Sequence, residues 1–244
     1  MENSNISWTD GTWNPWVGCD KAGPECDNCY IGRILPGQGR QPWGQVYRTG
    51  INTWSLPLRM QKRAIAEGKR LKLFTCSLSD FFHRKADPWR AEAWRIIARC
   101  PNIDFLVLTK RANRIAQCLP ADWGQGYPNV WLGVSIGMMK TAWRADRLRQ
   151  IPAVVRFISA EPLLESLANL NLDGIDWLIA GGESGPNYRP MDLHWAEELR
   201  QKCADSGTVF FFKQIAALRA GQGEDALGAV YHNWPEPVAA VETD

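Results

Sequence analysis

Six short apolar runs recur through the chain after residue 70: "LKLFTCS" (71–77), "DFLVLTK" (104–110), "NVWLGVS" (129–135), "AVVRFIS" (153–159), "DWLIAGG" (176–182) and "TVFFFKQ" (208–214). Runs this short and rich in Val, Ile, Leu and Phe suit strands buried on both faces, as parallel sheets require. Helical spacing fills the gaps, as at Ala93, Ile96, Ile97 and Cys100 or at Ala196, Leu199 and Cys203. Repeated strand, helix, strand order means βαβ units. A further strand is expected first, around "TWNPWVG" (12–18). The pattern predicts an α/β fold, a parallel βα barrel that is partial, with six or seven strands and an N-terminal cysteine loop; an open doubly wound sheet is the competitor.

With 244 residues, 45% of them hydrophobic, the chain is expected to be one domain over 1–244. Irregular structure is expected at 35–45, at 121–128 and in a tail over 220–244, where Gly, Glu and Pro displace the apolar rhythm. Lys and Arg number 28 against 26 Asp and Glu, and a formal charge of +2 provides no global attraction to a polyanion. The polar N-terminus and the lack of any long apolar run argue against export and membrane spanning, so a cytoplasmic protein with no membrane partner is expected. In that compartment seven cysteines point to metal or redox chemistry before disulfides. The 13 tryptophans are read as packing.

Each apolar run gives way to polar residues: Ser77, Ser79, Asp80 and His83; Lys110 and Arg111; Ser135; Ser159 and Glu161; Glu183 and Ser184; Lys213 and Gln214. In parallel α/β folds the carboxyl ends of the strands gather at the ligand site, so these residues are expected at one mouth. Asp80, His83, Lys110 and Lys213 are the candidate catalytic residues, with Asp80 and His83, at i and i+3, placed on one helical face for proton transfer. A helix cap by Ser79 or Asp80 beside a surface histidine is the plainer alternative. Lys110 and Arg111 suit an anionic substrate or a cofactor carboxylate. Ser135, Glu161, Glu183 and Ser184 are candidate cofactor-binding residues, the last two within "GGESGPNYRP", where glycines allow close backbone approach to a ligand.

Ahead of these lies Cys19, Cys26 and Cys29, spaced C-x6-C-x2-C, the candidate metal ligands in a loop over 19–29. A closed zinc site takes four ligands, and no second knuckle is present; Cys76, Cys100, Cys118 and His83 are the conceivable fourth. Three thiolates on a [4Fe-4S] cluster leave one iron without a protein ligand. A three-cysteine loop after the first strand of a βα barrel resembles the radical S-adenosylmethionine superfamily, whose enzymes bind S-adenosylmethionine at that iron. The resemblance is partial: the usual first gap is three residues, and the aromatic that precedes the last cysteine is here Asn28, leaving Tyr30 to face the adenine.

"SWTDGTWNPWVGC", "CDNCY", "SLSDFFH", "LTKR", "VWLGVSI", "RFISAEPLL", "DWLIAGGESGPNYRPM" and "FFFKQ" together resemble a phage three-cysteine-motif family of unknown function, itself likened to radical enzymes such as spore photoproduct lyase. The resemblance implies a [4Fe-4S] cluster and S-adenosylmethionine as cofactors and a nucleotide or nucleic acid as substrate, in phage DNA or RNA modification or repair. The basic stretches 59–72 and 140–150, the second with Trp143 interleaved, are the places where nucleic acid is expected to touch. A separately encoded partner protein is also expected. The alternative function is a non-catalytic zinc-binding nucleic-acid or protein interaction module.

Overall fold

The computed structural model describes residues 1–236. Seven parallel strands form the main sheet in the order β1 (Gly11–Trp13), β4 (Leu71–Thr75), β5 (Ile103–Thr109), β6 (Val130–Ser135), β7 (Val155–Ala160), β8 (Trp177–Gly181) and β9 (Val209–Gln214). They curl into a half-barrel with helices outside, so the partial-barrel expectation holds and the six apolar runs begin and end within two residues of their strands. The expected first strand splits: β1 joins the sheet, whereas β2 (Trp16–Val17) leaves it beyond Asn14 and Pro15 to pair antiparallel with β3 (Tyr47–Arg48).

The helices are α1 (Ile31–Ile34), α2 (Ile51–Trp54), α3 (Leu56–Ala66), α4 (Asp87–Ala98), α5 (Ile115–Cys118), α6 (Trp143–Arg149) and α7 (Leu193–Ser206). No helix links β7 to β8; Leu163, Leu167, Leu170, Leu172 and Ile175 of that connection fill the core from an irregular path instead. No helix among the described residues is long and apolar enough to cross a membrane.

Strand alternation sorts the apolar side chains into two layers. Leu73, Phe105, Val107, Leu132, Val134, Ile158, Leu178 and Phe212 face the helices, while Phe74, Leu106, Trp131, Phe157, Trp177, Ile179 and Phe211 fill the barrel interior with Trp8. Gly133 makes room there, since a Cβ on it would lie 2.3 Å from the Phe157 ring. Trp8, Trp13, Trp16, Trp54, Trp131 and Trp177 are all fully buried, so tryptophan serves mainly as packing.

The tail is irregular as expected over its described residues, and it packs against the barrel interior. His232 bridges to Phe211, Trp177 Nε1 donates to the Asn233 carbonyl, and Trp234 Nε1 donates to the Trp8 carbonyl. Residues 237–244 of that expected tail lie outside the described residues.

Candidate functional site

Period-two alternation dictates what the barrel mouth contains. The interior-facing files read Phe74–Cys76, Leu106–Leu108–Lys110, Trp131–Gly133–Ser135, Phe157–Ser159 and Phe211–Lys213: apolar at the bottom, polar or sulfur-bearing at the carboxyl end. These ends line a cavity of about 830 Å³, and so do Glu161, Ser184, Tyr30 and all three loop cysteines, Cys19, Cys26 and Cys29. The convergence expected from the strand ends is therefore present for ten of them, Ser77, Ser79, Asp80, Lys110, Arg111, Ser135, Ser159, Glu161, Ser184 and Lys213, whereas His83, Glu183 and Gln214 do not border the cavity.

The loop is held over the mouth by ties that span most of the sequence. Arg144 of α6 donates to Glu25 Oε1 (2.8 Å) and to the Ser135 carbonyl (2.7 Å). Asn28, in the place of the superfamily's aromatic, donates to Glu183 Oε2 (2.8 Å) and to the Asn187 carbonyl. Arg189 binds Glu183 (Nη2–Oε1 2.6 Å) and donates to the Pro24 carbonyl (2.9 Å). Cys19 bridges to Trp43, and Tyr30 donates its hydroxyl to the Ser77 carbonyl. On the strand side, Asn14 receives Leu78 N–H at 2.8 Å and Ser79 Oγ donates to the Gly18 carbonyl. Sequence reasoning missed Asn14, Glu25 and Arg144, because each meets a partner far away in the chain.

The candidates differ in how free they are. Lys110 Nζ has the Ser135 hydroxyl as partner at 3.3 Å and, among the described residues, no carboxylate. Lys213 Nζ sits 2.7 Å from Glu161 Oε1, off the angle of an aligned hydrogen bond, while Ser159 Oγ donates to Glu161 Oε2 at 3.2 Å. Glu183 does not border the cavity; Arg189 and Asn28 take its oxygens, holding its carboxyl below the usual range although burial alone would raise it.

Asp80 and His83 share no helix, contrary to the expected i, i+3 face. The chain turns through 77–83, and α4 starts only at Asp87, with Pro88 in its first turn. Asp80 is buried and fully engaged: Phe82 N–H and the Thr109 hydroxyl donate to Oδ1, Lys110 N–H and Arg111 to Oδ2. His83 is buried and not on the surface. Its Nδ1 accepts from Lys85 N–H, which leaves Nε2 to donate to Asp20 Oδ2 at 3.1 Å, and burial with nearby Arg111 lowers its pKa. It caps a turn of 3-10 helix at Arg84–Ala86.

All three cysteines are free thiols. Burial, with Asp80 second, pushes the Cys19 thiol up to about 12 against the pull of Arg111, and burial also raises Cys29. A metal bound here would replace the proton, since ligation deprotonates a thiol outright. Among the described residues no three His, Cys, Asp or Glu side chains converge as they would around a single ion. Of the conceivable fourth ligands, Cys100 is in the core and Cys118 lies against Arg90 and Arg114. Cys76 does border the cavity, buried, with its backbone in the left-handed region (φ 65°).

The sequence matches the profile of a protein family of unknown function, DUF5131, over residues 3–233. The chain belongs to that family. This agrees with the recognition drawn from its motifs, and the family name supplies no activity. A search of curated proteins returns no significant match. Among solved structures, a cysteine-to-serine variant of spore photoproduct lyase is similar, with a TM-score of 0.57 at 12% identity over 87% of this chain and 78% of that one. A tyrosine-to-phenylalanine variant of spore photoproduct lyase gives a TM-score of 0.52 at 11% identity over 81% and 74%. At such identity the likeness is one of fold.

Proposed function

We propose that this protein is an iron-sulfur enzyme of radical S-adenosylmethionine type. The observation that carries the reading is that Cys19, Cys26 and Cys29, from one loop, border the same cavity as the carboxyl ends of the parallel strands. Likeness of fold to spore photoproduct lyase supports it.

The donor set fits a [4Fe-4S] cluster. In a cluster each thiolate ligates a different iron, so the three sulfurs need not converge on one point. A zinc ion with bonds of about 2.3 Å would draw them to within about 4 Å of one another. Lys110 and Arg111 beside the loop supply positive charge near an anionic centre. When bound, such a cluster offers one iron to the amino and carboxylate groups of S-adenosylmethionine and supplies the electron that cleaves it.

The chain's own residues would then divide the work of binding. Lys110 Nζ, with no carboxylate partner, is a cation available to a carboxylate or phosphate, steadied by Ser135 Oγ. Glu161, oriented by Ser159 and Lys213, presents an acceptor for a ribose hydroxyl or an ammonium group. Tyr30, anchored at Ser77, presents its ring at the loop edge, and the buried aromatic interior keeps water from the cavity floor.

The substrate we propose is a nucleotide or nucleic acid. The mouth is also bordered by Arg33 and Arg40 together with Tyr30, Trp43, Ile34 and Leu218, a mixture of cations and flat apolar surface suited to phosphate and base. The stretch 59–72 contributes less than its composition promises: Arg59 pairs with Glu2, Arg63 and Lys69 with Glu67, and Arg70 with Asp104. In 140–150, Arg144 is consumed by Glu25 and Arg149 by Asp146.

The test is anaerobic reconstitution of the full chain, with iron and sulfide assayed and S-adenosylmethionine added with a reductant. Roughly four irons and four sulfides per chain with release of 5'-deoxyadenosine are expected. A colourless protein holding stoichiometric zinc would refute the proposal.

A further inference from the structure

Arg111 stands where a strand-end cation was expected to meet substrate, yet its guanidinium is held within the protein. Nη1 donates to Asp80 Oδ2 at 3.0 Å and approaches Cys19 Sγ at 3.6 Å, and Nη2 donates to the Asp20 carbonyl at 2.7 Å. Its own backbone N–H is tied to Thr109 Oγ1 at 2.8 Å. Asp80 cannot follow a moving arginine, because Phe82, Thr109 and Lys110 all donate to it from fixed backbone or strand positions. The guanidinium is thus fixed on several sides, with one nitrogen turned to a single sulfur.

Hydrogen bonds and positive charge at a cysteine sulfur stabilise the reduced, more negative form of an iron-sulfur centre, which raises its reduction potential. Asp80 opposes this with its own charge, but Nη1 is the atom that meets Cys19. We infer that Arg111 is a positioning residue that raises the reduction potential of the metal centre Cys19 helps to hold. The inference rests on the proposed reading of Cys19, Cys26 and Cys29 as cluster ligands.

Taking away the Arg111 charge then disfavours the reduced form tenfold or more, which for one electron is a shift of about 59 mV or more to negative potential. The test uses the full chain as wild type, Arg111→Gln and Arg111→Lys, each reconstituted anaerobically, assayed for iron and sulfide, and titrated potentiometrically with electron paramagnetic resonance as the readout. Arg111→Gln is expected to hold the wild-type amount of iron at a more negative midpoint, and Arg111→Lys, which keeps charge but loses the fork, to shift less. Full iron with an unmoved midpoint in Arg111→Gln overturns the role of Arg111 and leaves the cluster reading intact. Should Arg111→Gln fail to fold, Arg111→Met, which also removes the charge but keeps the aliphatic stem, is reconstituted and titrated in the same way: a negative shift supports the inference and an unchanged midpoint rejects it. A wild-type chain that takes up neither iron nor sulfide removes the cluster reading, and this inference with it.

Discussion

Arg144 and Glu25 form an ion pair sealed from water, with Nη1 and Oε1 2.8 Å apart and side chains only 3% and 0% exposed. Glu25 adjoins Cys26, and Arg144 also grips the Ser135 carbonyl, so this pair fixes the cysteine loop to the strand ends. Among the described residues Glu25 Oε2 and Arg144 Nε have no hydrogen-bond partner, which makes the pair a device of placement more than of stability.

Removing one partner strands the other charge in the interior. Arg144→Met is expected to cost about 3–5 kcal/mol in denaturant unfolding, whereas the double variant Arg144→Met with Glu25→Gln loses less than the sum of the two single changes. Additive losses would show that the pair is not coupled.

Cysteine identity separates an open centre from a closed one. Replacing Cys19, Cys26 or Cys29 with Ala is expected to abolish iron uptake in the reconstituted chain while far-ultraviolet circular dichroism stays native, since none of the three lies in a main strand or long helix. Cys76→Ser is expected to keep full iron. Loss of iron in Cys76→Ser would make Cys76 a fourth ligand and close the position on which the proposed chemistry depends.

Lys110→Met is expected to weaken binding of S-adenosylmethionine to the reconstituted protein at least tenfold, because a hydrogen bond to a charged group contributes about 1.5–3 kcal/mol. Equilibrium dialysis checks this without turnover. His83→Gln is expected to leave that affinity unchanged, since its ring faces Asp20 and Lys85 and does not border the cavity.

The sequence made the barrel legible because parallel strands covered on both faces leave a continuous apolar trace, and because strands that run parallel bring their polar carboxyl ends to one edge. The three cysteines stood out by their spacing, and the structure places all of them at the cavity. What holds their loop was not legible: Arg144 meets Glu25 across 119 residues, Asn28 meets Glu183 across 155, and Arg111 meets Cys19 across 92. Such pairs exist only once the strands are in register, and nothing local marks them. The i, i+3 spacing of Asp80 and His83 misled for a different reason. Asp87 and Pro88 signal the true helix start, but the apolar Phe81 and Phe82 before them look like a helix already begun.

Glu183 gives the loop a dependence on pH. Arg189 and Asn28 hold its folded-state pKa below the unfolded value of about 4.3, against the upward push of burial. A depressed carboxylate contributes stability that is fully present above the unfolded value and is lost as pH falls through the folded one. Wild type is therefore expected to exceed Glu183→Gln in thermal stability at pH 7, with the gap closing only below about pH 4. A gap that persists undiminished at lower pH would assign it to something other than this titration.

Gly133 tests the packing of the barrel interior. It pairs with Phe157 across β6 and β7, and a Cβ would fall 2.3 Å from the aromatic ring, which is itself fully buried among Trp177 and the other interior rings. The ring cannot swing aside, because the interior layer is closed by Trp8 and the Trp234 tail. Gly133→Ala is therefore expected to destabilise the fold by about 1–3 kcal/mol, read from denaturant unfolding. Phe157→Leu in the same chain makes space for the new methyl, so the double variant should recover part of the loss. No recovery would mean that the ring does not set the limit at this position.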